Sequence, residues 1–189
     1  MTNSVTPYLL TIDRLSKIPP ASVIQSQKIS GAIVEVSDYF DFITHARQKD
    51  AVNPNLVQQL KTLNQLNLPY GFYLTLRSRT VAEVDAELAY FFSIISGMYP
   101  KVGIWVRCHF YHVLKADNNV LINRCFEIFK ARGFANQIGL YLNESNFNKI
   151  TWENYAANWL LWLDKPITTS TELQYLLVDG ITPEGFFKV

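Results

Sequence analysis

Arg107 and His109 stand two residues apart near the end of an apolar run, Lys101-Val-Gly-Ile-Trp-Val-Arg-Cys-His-Phe110. On a strand they share a parity, so both project to the same side of the sheet. A guanidinium there offers a planar fork of donors to a carboxylate, an acetamido group or a sugar hydroxyl. It stays protonated and has no lone pair, so it cannot act as an acid or a base. The competing reading is that both side chains pair with Asp13 or Glu35 and merely fill a pocket. His109 and His112 also suggest a His-x-x-His metal pair, but that spacing sends strand side chains to opposite faces. No metal site is expected, and nothing in the sequence calls for a cofactor.

Carboxylates form the second group with chemistry to offer. Glu35, Asp38, Asp41, Glu144 and Asp164 all fall near the ends of predicted strands. Two of them close together would make an acid and base pair, although carboxylates at such places usually face solvent or cap a helix. Asn143-Glu-Ser145 fits a glycosylation sequon and is read as chance.

The elements that must position these groups alternate strand and helix, which predicts an α/β fold. Strands are expected at 8–13, 31–37, 70–76, 102–109, 137–143, 159–163 and 172–178, with a further short one at 185–189. Their near-continuous apolar character suits a parallel sheet covered on both faces. Between them, 54–67 places Leu56, Leu60 and Leu63 on one helical face, with Leu66 or Val57, and Pro69 lies just beyond. Thr80-Val-Ala-Glu83 reads as a capping box opening a helix with the stripe Val81, Val84, Leu88, Phe91, Phe92 and Ile95. Asp117 or Asn118 is expected to cap the next helix, which buries Leu121, Cys125, Ile128 and Phe129 and ends at Gly133. No linker or repeat interrupts the chain, so residues 1–189 read as a single domain.

Composition bounds the function. A chain of 189 residues that is 49% hydrophobic and 17% charged can bury a sizeable core. A net charge of +1, with scattered Lys and Arg, argues against nucleic acid as a partner. No apolar run reaches the ~18 residues of a membrane span, and the N-terminus lacks the blocks of a signal peptide. The expected setting is synthesis in the cytoplasm. Cys108 and Cys125 read as reduced, buried thiols.

Read together, these segments resemble the glycoside hydrolase family 25 lysozymes, which cleave bacterial peptidoglycan. In that family the stretch matching Gly103–His109 reads approximately Gly-Val-Trp-Leu-Asp-Val-Glu. Gly31-Ala-Ile-Val-Glu-Val-Ser37 is similar to its second strand, and Leu68-Pro-Tyr-Gly-Phe-Tyr-Leu74 to its Gly-Leu-Pro-Val-Gly-Ala-Tyr-His. Thr80–Phe92, Gly133-Phe134, Ile138-Gly-Leu-Tyr141, Leu161-Trp-Leu163 and Leu173-Gln-Tyr175 follow in the same order. The resemblance implies an irregular, TIM-like β/α barrel with a groove at the C-terminal ends of its strands. It also implies that Tyr73, Tyr141, Trp162 and Tyr175 line that groove, where aromatic faces suit sugars. Trp105, deeper on the same strand as Arg107, is expected to fill the core.

The departures decide the functional expectation. The family's Asp-x-Glu carries its catalysis, and two carboxylates are what ordinary glycoside hydrolysis requires. Arg107 and His109 stand at those positions here. Thr11-Ile-Asp-Arg-Leu15 matches the family's first strand, leaving Asp13 as a retained acid. Thr182-Pro-Glu-Gly-Phe-Phe187 lacks the family's closing Asp. The expected protein is a catalytically silent, lysozyme-like domain that binds cell-wall carbohydrate or serves in a phage-like assembly. Two alternatives stay open: a muramidase working through displaced acids such as Asp13 and Glu35, and a pure protein-interaction scaffold.

Overall fold

The computed structural model describes residues 8–37, 52–109, 114–134, 138–142, 148–151, 160–163, 175–179 and 186–188. In chain order these give β1 (Tyr8–Ile12), α1 (Ala21–Ser26), β2 (Ile29–Ser37), α2 (Leu56–Gln65), β3 (Tyr70–Leu76) and α3 (Val81–Ile94). Then follow β4 (Ile104–Cys108), α4 (Lys115–Ala131), β5 (Ile138–Leu142), β6 (Leu160–Leu163), β7 (Tyr175–Asp179) and β8 (Phe186–Lys188). Strands β1 to β7 pair in sequence order and in parallel. β8 runs antiparallel to both β7 and β1, and so closes the barrel.

Period-two alternation divides each strand between two cores. Leu10, Ile12, Val34, Val36, Phe72, Leu74, Ile104, Val106, Ile138 and Leu140 join the layer packed against the helices. Leu9, Ile33, Tyr73 and Trp105 form a separate cluster inside the barrel. Both faces of a strand are thus dry, which is why these segments read as nearly unbroken apolar runs.

α2 and α3 follow most of their sequence signals, although Val81 of the expected α3 stripe is 38% exposed. α2 buries Leu56, Leu60 and Leu63, leaves Leu66 half-buried, and exposes Val57 to solvent. α3 opens on the expected box: the Glu83 amide donates to Thr80 Oγ1 at 3.3 Å, and the Thr80 amide donates to the Glu83 carboxylate. α4 differs from expectation. It starts at Lys115 after Leu114, two residues before Asp117, and Asn118 is buried inside its first turn. The Asn118 amide group reaches across to donate to the Lys149 carbonyl at 2.8 Å, so tertiary packing claims the side chain that capping would have used. α1, a helix of six residues behind Pro19-Pro20, carries too short a pattern to be read from sequence.

The floor of the interior is built on one exchange of volume. Trp105 on β4 is 1% exposed, and its indole lies where Gly139 of β5 leaves room. A Cβ at Gly139 would sit 2.0 Å from Trp105 Cε3. That overlap cannot be relieved by a flexible tip. Gly139→Ala is therefore expected to destabilise the fold by ~1–3 kcal/mol, the usual range for overpacking. Chemical denaturation measures it, and pairing Gly139→Ala with Trp105→Leu should recover part of the loss.

Candidate functional site

The interior parity continues upward from the apolar cluster to the C-terminal ends of the strands. Leu9 leads to Thr11 and Asp13, Ile33 to Glu35, and Tyr73 to Thr75. Trp105 leads to Arg107 and His109, and Gly139 to Tyr141. Register sets these side by side: Glu35 pairs with Tyr73, Thr75 with Arg107, and Arg107 with Tyr141. β2 carries an irregularity between Glu35 and Ser37, just where its inward carboxylate must be aimed.

Glu35 is the centre of the mouth. It is 4% exposed, and its charge is met by a residue that sequence reasoning did not single out, Arg14. Arg14 Nε and Nη2 donate to Glu35 Oε1 at 2.7 and 2.5 Å, and the Arg14 amide donates to Oε2 at 3.2 Å. The Tyr73 hydroxyl donates to Oε2 from the other side at 3.1 Å. Burial, reinforced by the negative charge and hydrogen bond of Glu35, pushes the Tyr73 phenol far above its ordinary range. Asp13 adds to that shift and Arg107 opposes it. Tyr73 is thus fixed as a neutral donor.

The pairing of Arg107 with Glu35 weighed from the sequence does not form, and it is Arg14 that holds that carboxylate. Arg107 instead lies exposed, its guanidinium carbon 5.3 Å from the centre of the Tyr141 ring. Among the described residues Arg107 has no carboxylate partner. His109 follows β4, half-buried, and its amide donates to the Leu76 carbonyl at 2.9 Å. The Thr75 hydroxyl, level with Arg107 on the same face, is buried without a hydrogen-bond partner.

Asp13 is held by its own loop. Its Oδ1 accepts from the amides of Leu15 and Ser16, both at 2.8 Å, and from the Ser16 hydroxyl at 2.9 Å. This loop is braced from α2. Gln59 Nε2 donates to the carbonyls of Asp13 and Ser16, and Asn55 Nδ2 donates to that of Arg14. Asn53 Nδ2 links the Gln59 side chain to the Glu35 carbonyl. The one sequence signal for this brace was Asn53-Pro-Asn55, where Asn53 Oδ1 accepts from the Asn55 amide in an Asx turn. The result is a rigid frame that presents Arg14 to Glu35.

The other expected residues are placed by backbone only. Trp162 on β6 pairs with Tyr141, continuing the row Thr75–Arg107–Tyr141. Tyr175 on β7 pairs with Leu161, one register position away from the Trp162–Leu176 pair. Asp38, Asp41, His112, Asn143, Glu144, Ser145, Asp164 and Thr182 lie outside the described residues. Cys108 and Cys125 are both buried behind the sheet, and burial raises both thiols well above their ordinary range. Among the described residues no three His, Cys, Asp or Glu side chains gather as a metal cluster. No described helix is long and apolar enough to cross a membrane.

Arranged this way, the mouth offers an exposed forked cation and an aromatic face, while the neutral Tyr73 phenol gives its one proton to Glu35. Its buried carboxylate already accepts on both oxygens.

No protein-family model and no curated protein matches the sequence. Solved structures do match. The modular autolysin LytC from Streptococcus pneumoniae, in complex with a synthetic peptidoglycan ligand, superposes with a TM-score of 0.74 at 15% identity over 96% of this chain. The chain spans 46% of that autolysin's length. A family GH25 lysozyme from Aspergillus fumigatus gives 0.75 at 10% identity, covering 97% of this chain and 93% of the lysozyme. A family 25 glycosyl hydrolase from Bacillus anthracis gives 0.70 at 10% identity, covering 100% of this chain and 88% of that one. At such identities the likeness is one of fold. In fold, this chain is a glycoside hydrolase family 25-like domain.

Proposed function

We propose that residues 1–189 form a single, irregular TIM-like barrel that has kept the lysozyme groove for binding and given up its catalysis. The carrying observation is the mouth itself. β4 ends in Arg107 and His109, and the buried carboxylate of Glu35 is engaged by Arg14 and Tyr73. A general acid must deliver a proton to the leaving oxygen, and a nucleophile must reach the sugar carbon. Glu35, flanked on one oxygen by a guanidinium and on the other by a phenol, does neither from this position. Asp13, tied into its own loop, is poorly placed to supply the second carboxylate, which speaks against the displaced-acid muramidase.

The ligand in this reading is cell-wall glycan. The support is the fold shared with proteins solved on peptidoglycan ligands. Added to it is the Arg107–Tyr141 pair, which suits a sugar bearing an acetamido or acidic group. Endolysins among the structural relatives make a phage-related setting, virion-borne or at the cell wall, the natural one to test. Arg107→Ala should weaken binding of muropeptides about tenfold, or ~1.4 kcal/mol, with Trp162→Ala weakening it as well. Calorimetric titration decides between the groove and the scaffold reading. Unchanged affinity in both variants, or no binding by the native chain, would favour a scaffold whose partner is a protein.

A further inference from the structure

A second concave surface lies at the other end of the barrel. It is formed where α2 ends, β3 begins and the turn after α3 leads into β4. A cavity of about 480 Å³ is bounded there by Asn64, Asn67, Tyr70, Tyr99 and Lys101, over a base of Leu68 and Pro69. A shallower one of about 630 Å³ adjoins it through Asn64 and Tyr70 and adds Lys61. Either volume is within the ~300–1,000 Å³ of ordinary small-molecule sites. β3 runs from Tyr70 at this end to Thr75 at the mouth, so the two places are separated by roughly 17 Å of strand.

The lining has a consistent chemistry. Among the described residues it contains two lysines and no Asp or Glu. Two tyrosine rings and the three carboxamides of Asn64, Gln65 and Asn67 join them over an apolar base, and Tyr99 is 84% exposed. Among the described residues, none of the polar tips of Lys61, Asn64, Asn67, Tyr70, Tyr99 or Lys101 is engaged by a hydrogen bond or ion pair.

The frame beneath them is firm. α2 ends in a Schellman arrangement, with the Leu68 amide donating to the Leu63 carbonyl at 3.0 Å and Asn67 to Asn64 at 3.1 Å. Asn67 takes the left-handed conformation there, φ 53°, where glycine is the usual occupant. The amides of Lys101 and Val102 both donate to the Tyr70 carbonyl, fixing the opposite wall. A carboxamide is thus held at a backbone position that would cost less with no side chain at all.

We infer that this groove is a second ligand site, independent of the mouth, that takes a saccharide carrying an anionic substituent, a carboxylate or a phosphate. The tyrosine rings cover C–H faces of the sugar, the carboxamides meet its hydroxyls or acetamido group, and Lys61 and Lys101 neutralise the acid. Ionic attraction in so open a site weakens as salt rises.

The experiment uses three sugars that share one ring: N-acetylglucosamine, its 6-phosphate, and N-acetylmuramic acid, which adds a carboxylate. Each is titrated into the isotopically labelled full chain while backbone amide resonances are followed. One or both acidic sugars should shift Asn64, Asn67 and Lys101 saturably, and the arm that binds tighter names the acid. The neutral parent should bind at least about fivefold more weakly. Tyr99→Ala and Lys101→Gln, both at exposed positions, should each reduce the response, whereas Arg107→Ala should leave it intact. Loss of mouth binding in Arg107→Ala with this groove unaffected separates the two sites. Equal affinity for the neutral sugar, shifts confined to the mouth, or no shift near Asn67 would overturn the inference.

Discussion

Arg14→Ala should destabilise the protein by ~3 kcal/mol, far more than loss of a surface ion pair. The reason is the carboxylate left behind. The Glu35 side chain is 6% exposed and Arg14 26%, so the acid is buried while its partner reaches in from the rim. Without the guanidinium, Glu35 keeps only the Tyr73 hydroxyl and one backbone amide. A buried pair broken from one side typically costs ~3–5 kcal/mol, and the partial exposure of Arg14 places this one at the lower end. The double variant Arg14→Ala with Glu35→Gln removes the stranded charge and should recover most of the loss. Urea unfolding of the four proteins in that cycle is the measurement. A cost below ~0.5 kcal/mol for Arg14→Ala would mean that solvent reaches Glu35 and that the pair is ornamental.

The second large effect is a pH dependence set on the opposite side of the sheet. Glu87 of α3 is 3% exposed, and its carboxyl is raised from 4.5 to about 7, chiefly by burial. Hydrogen bonds from the Ser78 hydroxyl and the Arg77 amide oppose the shift without cancelling it. The folded state therefore holds this proton more tightly than the unfolded chain does. Its contribution to stability is complete below pH 4.5 and is lost as pH rises through about 7. The loss amounts to ~3 kcal/mol, at ~1.4 kcal/mol per pH unit. Glu87→Gln keeps an acceptor for Ser78 and Arg77 without the charge. The stability difference between native protein and variant should widen in favour of the variant from pH 5 to 8. A difference that stays flat over that range would show that the carboxylate is hydrated or compensated in the folded state.

These two carboxylates show where the sequence was readable and where it was not. Strand and helix order came through because Leu56, Leu60 and Leu63, or Val84, Leu88 and Phe91, repeat with a helical period. The strands in turn carry apolar residues for two dry faces. The parity of Trp105, Arg107 and His109 was legible for the same reason. The reversal of β8 was not, since Phe186–Lys188 is three residues long and a strand's direction leaves no mark on its composition. The start of α4 departs from the sequence signal because Asn118 is a good cap by type, but its tertiary partner, the Lys149 carbonyl, outbids that local preference.

In the site, Arg107 and His109 stand out through the resemblance to the family's Asp-x-Glu, and their spacing gives them one parity. The partner of Glu35 escaped because Arg14 is 21 residues away on a loop, where no periodicity applies. Glu87 escaped because it sits on an otherwise apolar helical face, where the pattern records only its position.

The central claim is that the groove has lost its chemistry, and incubation with purified peptidoglycan tests it most directly. Release of new reducing ends should stay at the level of buffer even at high protein concentration, while the protein still sediments with the insoluble wall. Robust turnover, abolished by Glu35→Gln or Asp13→Asn, would contradict the account and establish a muramidase that works through displaced acids.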